Sequence, residues 1–579
     1  MTLLLRNFFF QCCAIFIIAF VVGFFLYKPT LDDPPHFDDE AHVKIEAIHS
    51  VFPLSKFFIY NTEIGVDVPH RGVALVTHAL TKAISKEGNY FYFHFFQILF
   101  HSINAFLVFV FIFKLLGFFS FNGGKTNDEN RTVYLLISLF CFLLFLTHPI
   151  QSNVAAYMAQ RTSELLVMFS LLSLLFFMTF LSQQGIKRKG AYYALSFISF
   201  SFAIFSKENA VTIIPLMFIL QLHTGEAELK KMNSKKFLKI LLPFLPFALF
   251  IIFYSQFASF KTHTMLFDQT PASYFFLQTV VILKYIGLLL YPSPDLLNMD
   301  WDIRANTFSI GQIELSLVVN ALIFFCGCLF LFLAKLRILG FAIIWFYATI
   351  SPDSSFMPLS EKMVEYRLYM PAIGFFLFFA MIVWVAVEKI QKKNTLFLYT
   401  FIILVITILS IYSTVKRLPV FDTELIYWTD VIKKSPNKAR GYATRGSSAY
   451  KNMNKIPEAL ADLNKAIELK SDLGDAYINR GVLLASQGHF HKAIADFKHA
   501  LEYKKHNTSY VYLNLGAMYF SLYDIENSLA SFHKACEMKN KHGCEGFDKL
   551  YYALKNSCDV GDTKDCLFLD QAIEKYGKK

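Results

Sequence analysis

The densest set of groups able to do chemistry is Asp32-Asp33-Pro34-Pro35-His36-Phe37-Asp38-Asp39-Glu40. Neighbouring carboxylates repel one another, so at least one of them holds its proton unusually tightly or shares a cation. A carboxylate in that state can take the proton of an incoming hydroxyl, which is general-base chemistry. Asp38, Asp39 and Glu40 are therefore the candidate catalytic residues. The competing reading is a plain solvated acidic loop. Paired carboxylates can also hold a divalent cation, but nothing in the spacing requires one, and no metal-ligand set is assigned.

Isolated cations suit the opposite role. Arg161, Lys207 and Arg367 each stand beside an apolar run, and Arg71 lies in the same loop as the acids. Arginine can grip a phosphate with two parallel hydrogen bonds, and lysine offers it a point charge. Each cation also has an acid close by in the chain, so local ion pairing is the alternative. His94 and His101 are seven residues apart and Asn104 follows three later, so all three share one helix face. They read either as a ligand set or as a polar stripe packed on a neighbouring helix.

The elements that must carry these residues are membrane helices. The chain has 579 residues, 55% hydrophobic and only 17% charged, with 66 Phe and a mean hydropathy of +0.43. Soluble domains run at about 25% charged and about 45–50% apolar, so a disordered chain and an ordinary cytosolic enzyme are both excluded. The net charge of +11 sits mostly in short gaps between apolar runs, where it sets orientation and does not suggest nucleic-acid binding. Runs approaching a bilayer's need of about 20 residues lie near 8–26, 92–116, 133–147, 163–181, 190–205, 209–222, 237–257, 275–291, 311–334, 338–350, 368–388 and 396–415. The first follows Arg6 with no small-residue cleavage site after it, which reads as an uncleaved anchor. Basic clusters at 187–189, 230–239, 335–337 and 389–393 are expected in the cytoplasm, and the acid-bearing loops outside. Run 275–291 has external-looking flanks on both sides, so it is expected to be re-entrant. That leaves about eleven spans and puts the C-terminal end outside.

Beyond residue 418 the pattern changes to evenly spread charge and a repeat. Gly446, Gly481 and Gly516 are 35 apart, while Ala459, Ala493 and Ser528 step by 34 and 35, as do Ala466, Ala500 and Ala535. Small residues recurring at a period near 34 read as tetratricopeptide helix pairs. The expected fold is all-α: a polytopic bundle over 1–417, a linker helix over 418–438, repeats over 439–540, and C-terminal helices over 541–579. Five cysteines lie in apolar runs. The other four form two equal spacings, Cys536/Cys544 and Cys558/Cys566. A helix–turn–helix junction can bring such pairs together, zinc sites usually pair ligands more closely, and four reduced buried thiols are the remaining alternative.

The ordered motifs resemble the membrane O-mannosyltransferases that carry C-terminal tetratricopeptide repeats, a branch of the C-type glycosyltransferase superfamily. They are Phe37-Asp38-Asp39, the His94/His101/Asn104 set, His148-Pro149 with Gln160-Arg161, Ser206-Lys207-Glu208, Tyr291-Pro292 with Asn298-Met299-Asp300, and Tyr366-Arg367-Leu368-Tyr369-Met370-Pro371. Near Arg71 the chain reads Pro69-His70-Arg71-Gly72, where related sequences usually have Tyr-Arg-Pro. The resemblance implies that a polyprenyl-phosphate sugar, mannose in that family, is the donor and that an outer-loop acid is the base. It implies that Arg71, His94, His101, Asn104, Arg161, Lys207 and Arg367 hold that donor. A secreted or envelope protein would be the acceptor, presented by the repeats on the periplasmic side of a bacterial-type inner membrane. The C-terminal cysteine stretch resembles Sel1-like repeats, in which such pairs are bridged, and bridging needs an oxidising compartment. Two other readings remain: a membrane-anchored repeat scaffold for envelope assembly, and a C-type transferase acting on lipid or glycan.

Overall fold

A backbone crossing hydrocarbon has to satisfy its own polar groups, and a helix does so within one segment. A computed structural model describes residues 8–35, 51–52, 54–57, 71–86, 88–120, 128–224, 240–257, 270–304, 308–451, 453–503, 508–560 and 563–576. Among them there is no strand. The chain divides into two compact units, Met1–Thr423 and Glu424–Lys579.

The first unit contains helices α1 (Phe8–Tyr27), α2 (Gly72–Ile84), α3 (Phe91–Ser120), α4 (Asp128–Thr147), α5 (Arg161–Ser182), α6 (Ile186–Ile204) and α7 (Ile213–Thr224). It continues with α8 (Leu245–Phe257), α9 (Pro271–Leu290), α10 (Ile310–Phe332), α11 (Arg337–Ile350), α12 (Pro371–Ile390) and α13 (Thr395–Arg417). The core runs through α3, α4, α5, α11 and α12, rich in Phe and Leu. At the crossing of α10 with α11, a Cβ on Gly340 would lie 2.7 Å from the carbonyl oxygen of Gly327, so neither backbone tolerates a side chain there.

The span count differs from the eleven expected. Among the described residues, eight helices are long and apolar enough to cross a membrane: those of α1, α3, α4, α5, α9, α10, α12 and α13. Run 275–291, expected to be re-entrant, is the full 20-residue helix α9. The runs near 209–222, 237–257 and 338–350 form helices of only 12 to 14 residues, and α6 spends its first turn on the basic triplet 187–189. Apolar runs alone overstate the number of helices long enough to cross, because several of them end short. Ser206-Lys207-Glu208 separates the two runs as expected, and a short 3₁₀ turn lies there between α6 and α7.

Three such interruptions position the site. Pro149 ends the path of α4 and starts helical turns over 149–160 that lead into α5. The break at 205–207 presents Lys207, followed by the 3₁₀ turn Glu208–Thr212. The loop after α11 ends in the 3₁₀ turn Glu365–Leu368, after which Pro371 occupies the first turn of α12, where its missing N–H costs nothing. The amide of Val73 donates to the carbonyl of Phe205 at 3.2 Å, bringing the start of α2 to the same place.

The second unit comprises α14 (Glu424–Lys434), α15 (Ala439–Thr444), α16 (Ile456–Leu469), α17 (Gly474–Ser486), α18 (Phe490–Glu502), α19 (Thr508–Ser521), α20 (Ile525–Glu537), α21 (Lys541–Asp559) and α22 (Thr563–Tyr576). The 35-residue glycines are crossing points. A Cβ on Gly481 would lie 2.9 Å from the Phe497 ring, and one on Gly516 2.6 Å from Phe532. Disulfides join Cys536 to Cys544 and Cys558 to Cys566 across the α20–α21 and α21–α22 turns.

Candidate functional site

Lys207 and Arg367 line one narrow cleft with Ser163, Asn209, Asp353, Tyr366 and Tyr369. Its free space of about 10 Å³ is room for one water. Lys207 Nζ donates to Ser163 Oγ at 3.2 Å and lies 5.4 Å from the centre of the Tyr366 ring. Burial lowers the Lys207 pKa, and Arg71 and Arg367 push the same way, against Asp353 and Glu208. Arg367 Nε is 3.9 Å from Asp353 Oδ1, and Asn209 donates to the other Asp353 oxygen at 2.8 Å. Arg71 Nη2 is 3.7 Å from Glu208 Oε1. Lys207 and Arg367 thus share the cleft with Asp353, and the Arg71–Glu208 pair beside it acts on Lys207 electrostatically. Buried Arg367 Nη1 makes no hydrogen bond. The cleft's donors suit an anionic group that brings oxygen acceptors, and the cleft has to widen beyond its one-water space to take one.

The segment carrying Arg367 is held from all sides. Tyr285 hydroxyl donates to the Val364 carbonyl and accepts from the Val364 amide, both at 2.9 Å. Trp345 Nε1 donates to the Met370 carbonyl at 2.9 Å. Glu365 and Arg417 are both fully buried and 3.9 Å apart, so the turn is tied to the last residue of α13.

The remaining expected donor-binding residues are not in this cleft. Arg161 is completely buried, and its guanidinium donates to Thr81 Oγ1 at 2.9 Å, the Phe93 carbonyl at 2.8 Å, the Thr77 carbonyl at 3.4 Å and Gln97 Oε1 at 3.5 Å. His94 Nε2 donates to the Asp33 carbonyl at 3.1 Å. His101 Nε2 donates to the Leu146 carbonyl at 3.2 Å, and its Nδ1 accepts from Tyr369 hydroxyl at 2.9 Å. Asn104 Nδ2 donates to that hydroxyl at 3.2 Å and to the Glu164 carbonyl at 2.9 Å. The one-face stripe exists, and the described contacts of its histidines tie helices to loops. His148 behaves alike: its Nδ1 accepts from the Ile150 amide and its Nε2 donates to the Leu289 carbonyl, while burial pushes its pKa down to about 4.

Asp38, Asp39 and Glu40 lie outside the described residues. The stretch just before them is anchored by His94. There, burial and the nearby Asp422 and Asp32 push the Asp33 carboxyl up to about 7. Sequence reasoning did not single out Asp353, Asn209, Tyr369 or Glu365 as members of the cluster. Tyr369 was visible only as the neighbour of Arg367 in one motif, and the loop acid Asp353 carries no periodic signal at all. Among the described residues, no group of three or more His, Cys, Asp or Glu is placed to hold a metal ion.

Comparison with known proteins informs the second unit. A tetratricopeptide-repeat family profile matches residues 439–473 and 474–507. The Hsp70-Hsp90 organizing protein 3 of Arabidopsis thaliana is 26% identical over 85 residues, which is 15% of this chain and 15% of that protein. The match thus spans a small part of that relative's length, and the likeness is one of repeats.

Proposed function

We propose that this membrane protein with tetratricopeptide repeats is a transferase that moves a sugar from a polyprenyl-phosphate donor to a hydroxyl of a protein acceptor. The observation supporting this reading is that Lys207 and Arg367 line one cleft, with Arg71 near enough to act on Lys207 electrostatically. A phosphate leaving group gains charge in the transition state, and fixed cations in a dry site stabilise that charge far more than water does. In the reaction, the acceptor oxygen bonds to the anomeric carbon, and the bond from that carbon to the phosphate oxygen breaks, its electron pair departing with the lipid phosphate. The hydroxyl proton passes to Asp38 or Asp39, with Glu40 as the third acid of the set. Helical repeats form extended concave surfaces, and the relative found for them is named for organizing two other proteins. The repeats are therefore assigned the role of presenting a protein acceptor, on the oxidising side where the two disulfides persist.

The test measures release of polyprenyl phosphate from labelled polyprenyl-phosphate hexose in membranes, with expression matched. Asp38→Asn or Asp39→Asn is expected to cut release by roughly 10²–10⁴-fold, and Lys207→Gln by roughly 10²–10³-fold. Absence of turnover by wild type with any hexose donor, combined with variants that still support envelope assembly, would establish the scaffold reading instead.

A further inference from the structure

The helices of the first unit have two ends, and their contacts tell the ends apart. Lys335 and Arg337 lie between α10 and the body of α11, and Lys389, Lys392 and Lys393 lie between α12 and α13. These turns mark the basic end, which is expected in the cytoplasm. The ring of Phe119, near the end of α3, is 5.5 Å from that of Phe341, near the start of α11, so α3 ends where α11 begins. At the opposite, outer end, His101 near the start of α3 bonds the Leu146 carbonyl, so α4 ends beside that start. There α11 ends too, and so does α13, whose Thr414 Oγ1 donates to the Thr147 carbonyl at 2.6 Å.

Helix α9 is tied to this outer end at both of its own ends. Tyr274 hydroxyl, in its first turn, donates at 2.9 Å to the carbonyl of Asp353, three residues past α11. Gln278 Nε2 donates to the Lys362 carbonyl at 2.8 Å, and Tyr285 makes its two bonds with Val364. Near its close, the Leu289 carbonyl accepts from His148, the residue after α4. The Pro292 carbonyl accepts from Ser413 Oγ at 2.6 Å, beside Thr414 of α13. Between these ties, the Thr279 carbonyl accepts from Asn320 of α10, which also meets Tyr347 in the last turn of α11. From Tyr274 to Leu289 a helix rises about 22 Å, most of a hydrocarbon core of about 30 Å. A helix along the membrane normal would carry one of these two residues far towards the basic end. Here both meet chain just beyond helices that finish at the outer end.

We infer that α9, although long and apolar enough to cross, lies across the outer ends of α11, α4 and α13 and braces the loop that brings Asp353 and Arg367 to the cleft. Its open flank commits it to outer-leaflet lipid. Phe276, Phe356 and Met357 there are 44%, 60% and 54% exposed, and Phe356 stacks on Phe275 at 4.5 Å. An apolar flank on a helix lying in the interface plane rests in the boundary between headgroups and chains. The inference does not depend on the transferase reading.

The experiment places single cysteines in the full chain at exposed positions, Ala272→Cys in the first turn of α9 and Asp295→Cys just after it. Cells receive an impermeant maleimide without reduction, so the bridged C-terminal cysteines stay silent, and labelling above the parent chain is compared before and after permeabilisation. Both variants are expected to label as strongly in intact cells as in permeabilised ones. Labelling of one of them only after permeabilisation puts α9 through the membrane and overturns the inference. Labelling of both only after permeabilisation puts it at the cytoplasmic face and overturns it equally. A position silent in both states is replaced by its exposed neighbour, Thr270→Cys or Leu296→Cys, and read in the same way. The bracing is read with Tyr274→Phe combined with Tyr285→Phe, which is expected to speed cleavage within 353–364 by external protease several-fold. An unchanged rate overturns the bracing.

Discussion

At Lys207, burial works against the charge that an anion would need to find there. Its folded pKa lies below a lysine's usual value of about 10.4. Between the two values the unfolded chain holds more protons, so this residue makes stability rise with pH across that window. An anion in the cleft favours protonated Lys207, so donor binding takes up a proton and weakens as pH rises through the lowered pKa. The alkaline limb of kcat/KM is expected below the usual lysine range, and Lys207→Arg should move it out of reach. A limb unchanged in that variant would place the titrating group elsewhere. Asp33 behaves in the opposite sense. Its carboxyl is raised from near 4 to about 7, so the folded state binds the extra proton in between and stability falls as pH rises from about 4 to about 7. Asp33→Asn is expected to raise Tm at pH 8 and to leave it unchanged at pH 4, as scanning calorimetry of the purified chain would read.

The repeats show how one element absorbs an irregularity in the sequence. From Gly481 to Ala493 and from Gly516 to Ser528 is twelve residues, but from Gly446 to Ala459 is thirteen. The extra residue is taken up in a π-helical turn, Arg445–Tyr450, whose wider loop accommodates it without breaking the helix. The first two repeats are also clamped by matching ion pairs. Arg445 grips Asp462 with two bonds at 2.7 and 2.9 Å and reaches Thr429, while Arg480 grips Asp496 at 2.8 and 2.7 Å and reaches Asn464. The third repeat has Leu515 and Ser531 in those places. Asp496→Ala strips a part-buried guanidinium of its partner and is expected to cost about 1–3 kcal/mol, read as earlier proteolysis of the repeats in the full-length protein. Loss of no more than a few tenths would mean that Asn464 suffices. Further along, reducing the two disulfides should expose the segment after residue 537 to protease before the repeats open, since these bridges tie α21 to both neighbours.

For the whole molecule, the question is which side of the membrane each unit faces. An odd count of eleven would have placed the C-terminal unit outside by parity. With eight crossing-capable helices among the described residues, parity no longer supports that placement, and the disulfides are the stronger ground. An impermeant maleimide applied to intact cells is expected to label the four C-terminal cysteines only after reduction, with no need to permeabilise. Labelling that requires permeabilised cells would put the repeats in a reducing interior and remove the secreted-acceptor part of the proposed function.

Composition and period by themselves determined that the chain is helical, that its first part is apolar enough for a membrane, and that tetratricopeptide repeats follow. These features depend on sums over many residues, so single exceptions such as the thirteen-residue step do not erase them. The lengths and roles of helices were less legible: the Ser-Lys-Glu interruption showed in the sequence, but run 275–291, expected to be re-entrant, is a full helix. Which cations meet was decided only by tertiary structure. Arg161 and Lys207 look alike in the sequence, each an isolated cation with an acid nearby. In the fold, Arg161 is consumed by α2 and α3, whereas Lys207 joins Arg367 across a break between helices. Asn104 shows the same limit, because its amide meets Tyr369 and Glu164, 265 and 60 residues away, only in the fold. Contacts between residues so distant in the chain leave no periodic trace in one sequence, and burial decides whether a charge is free to act or spent on holding the fold.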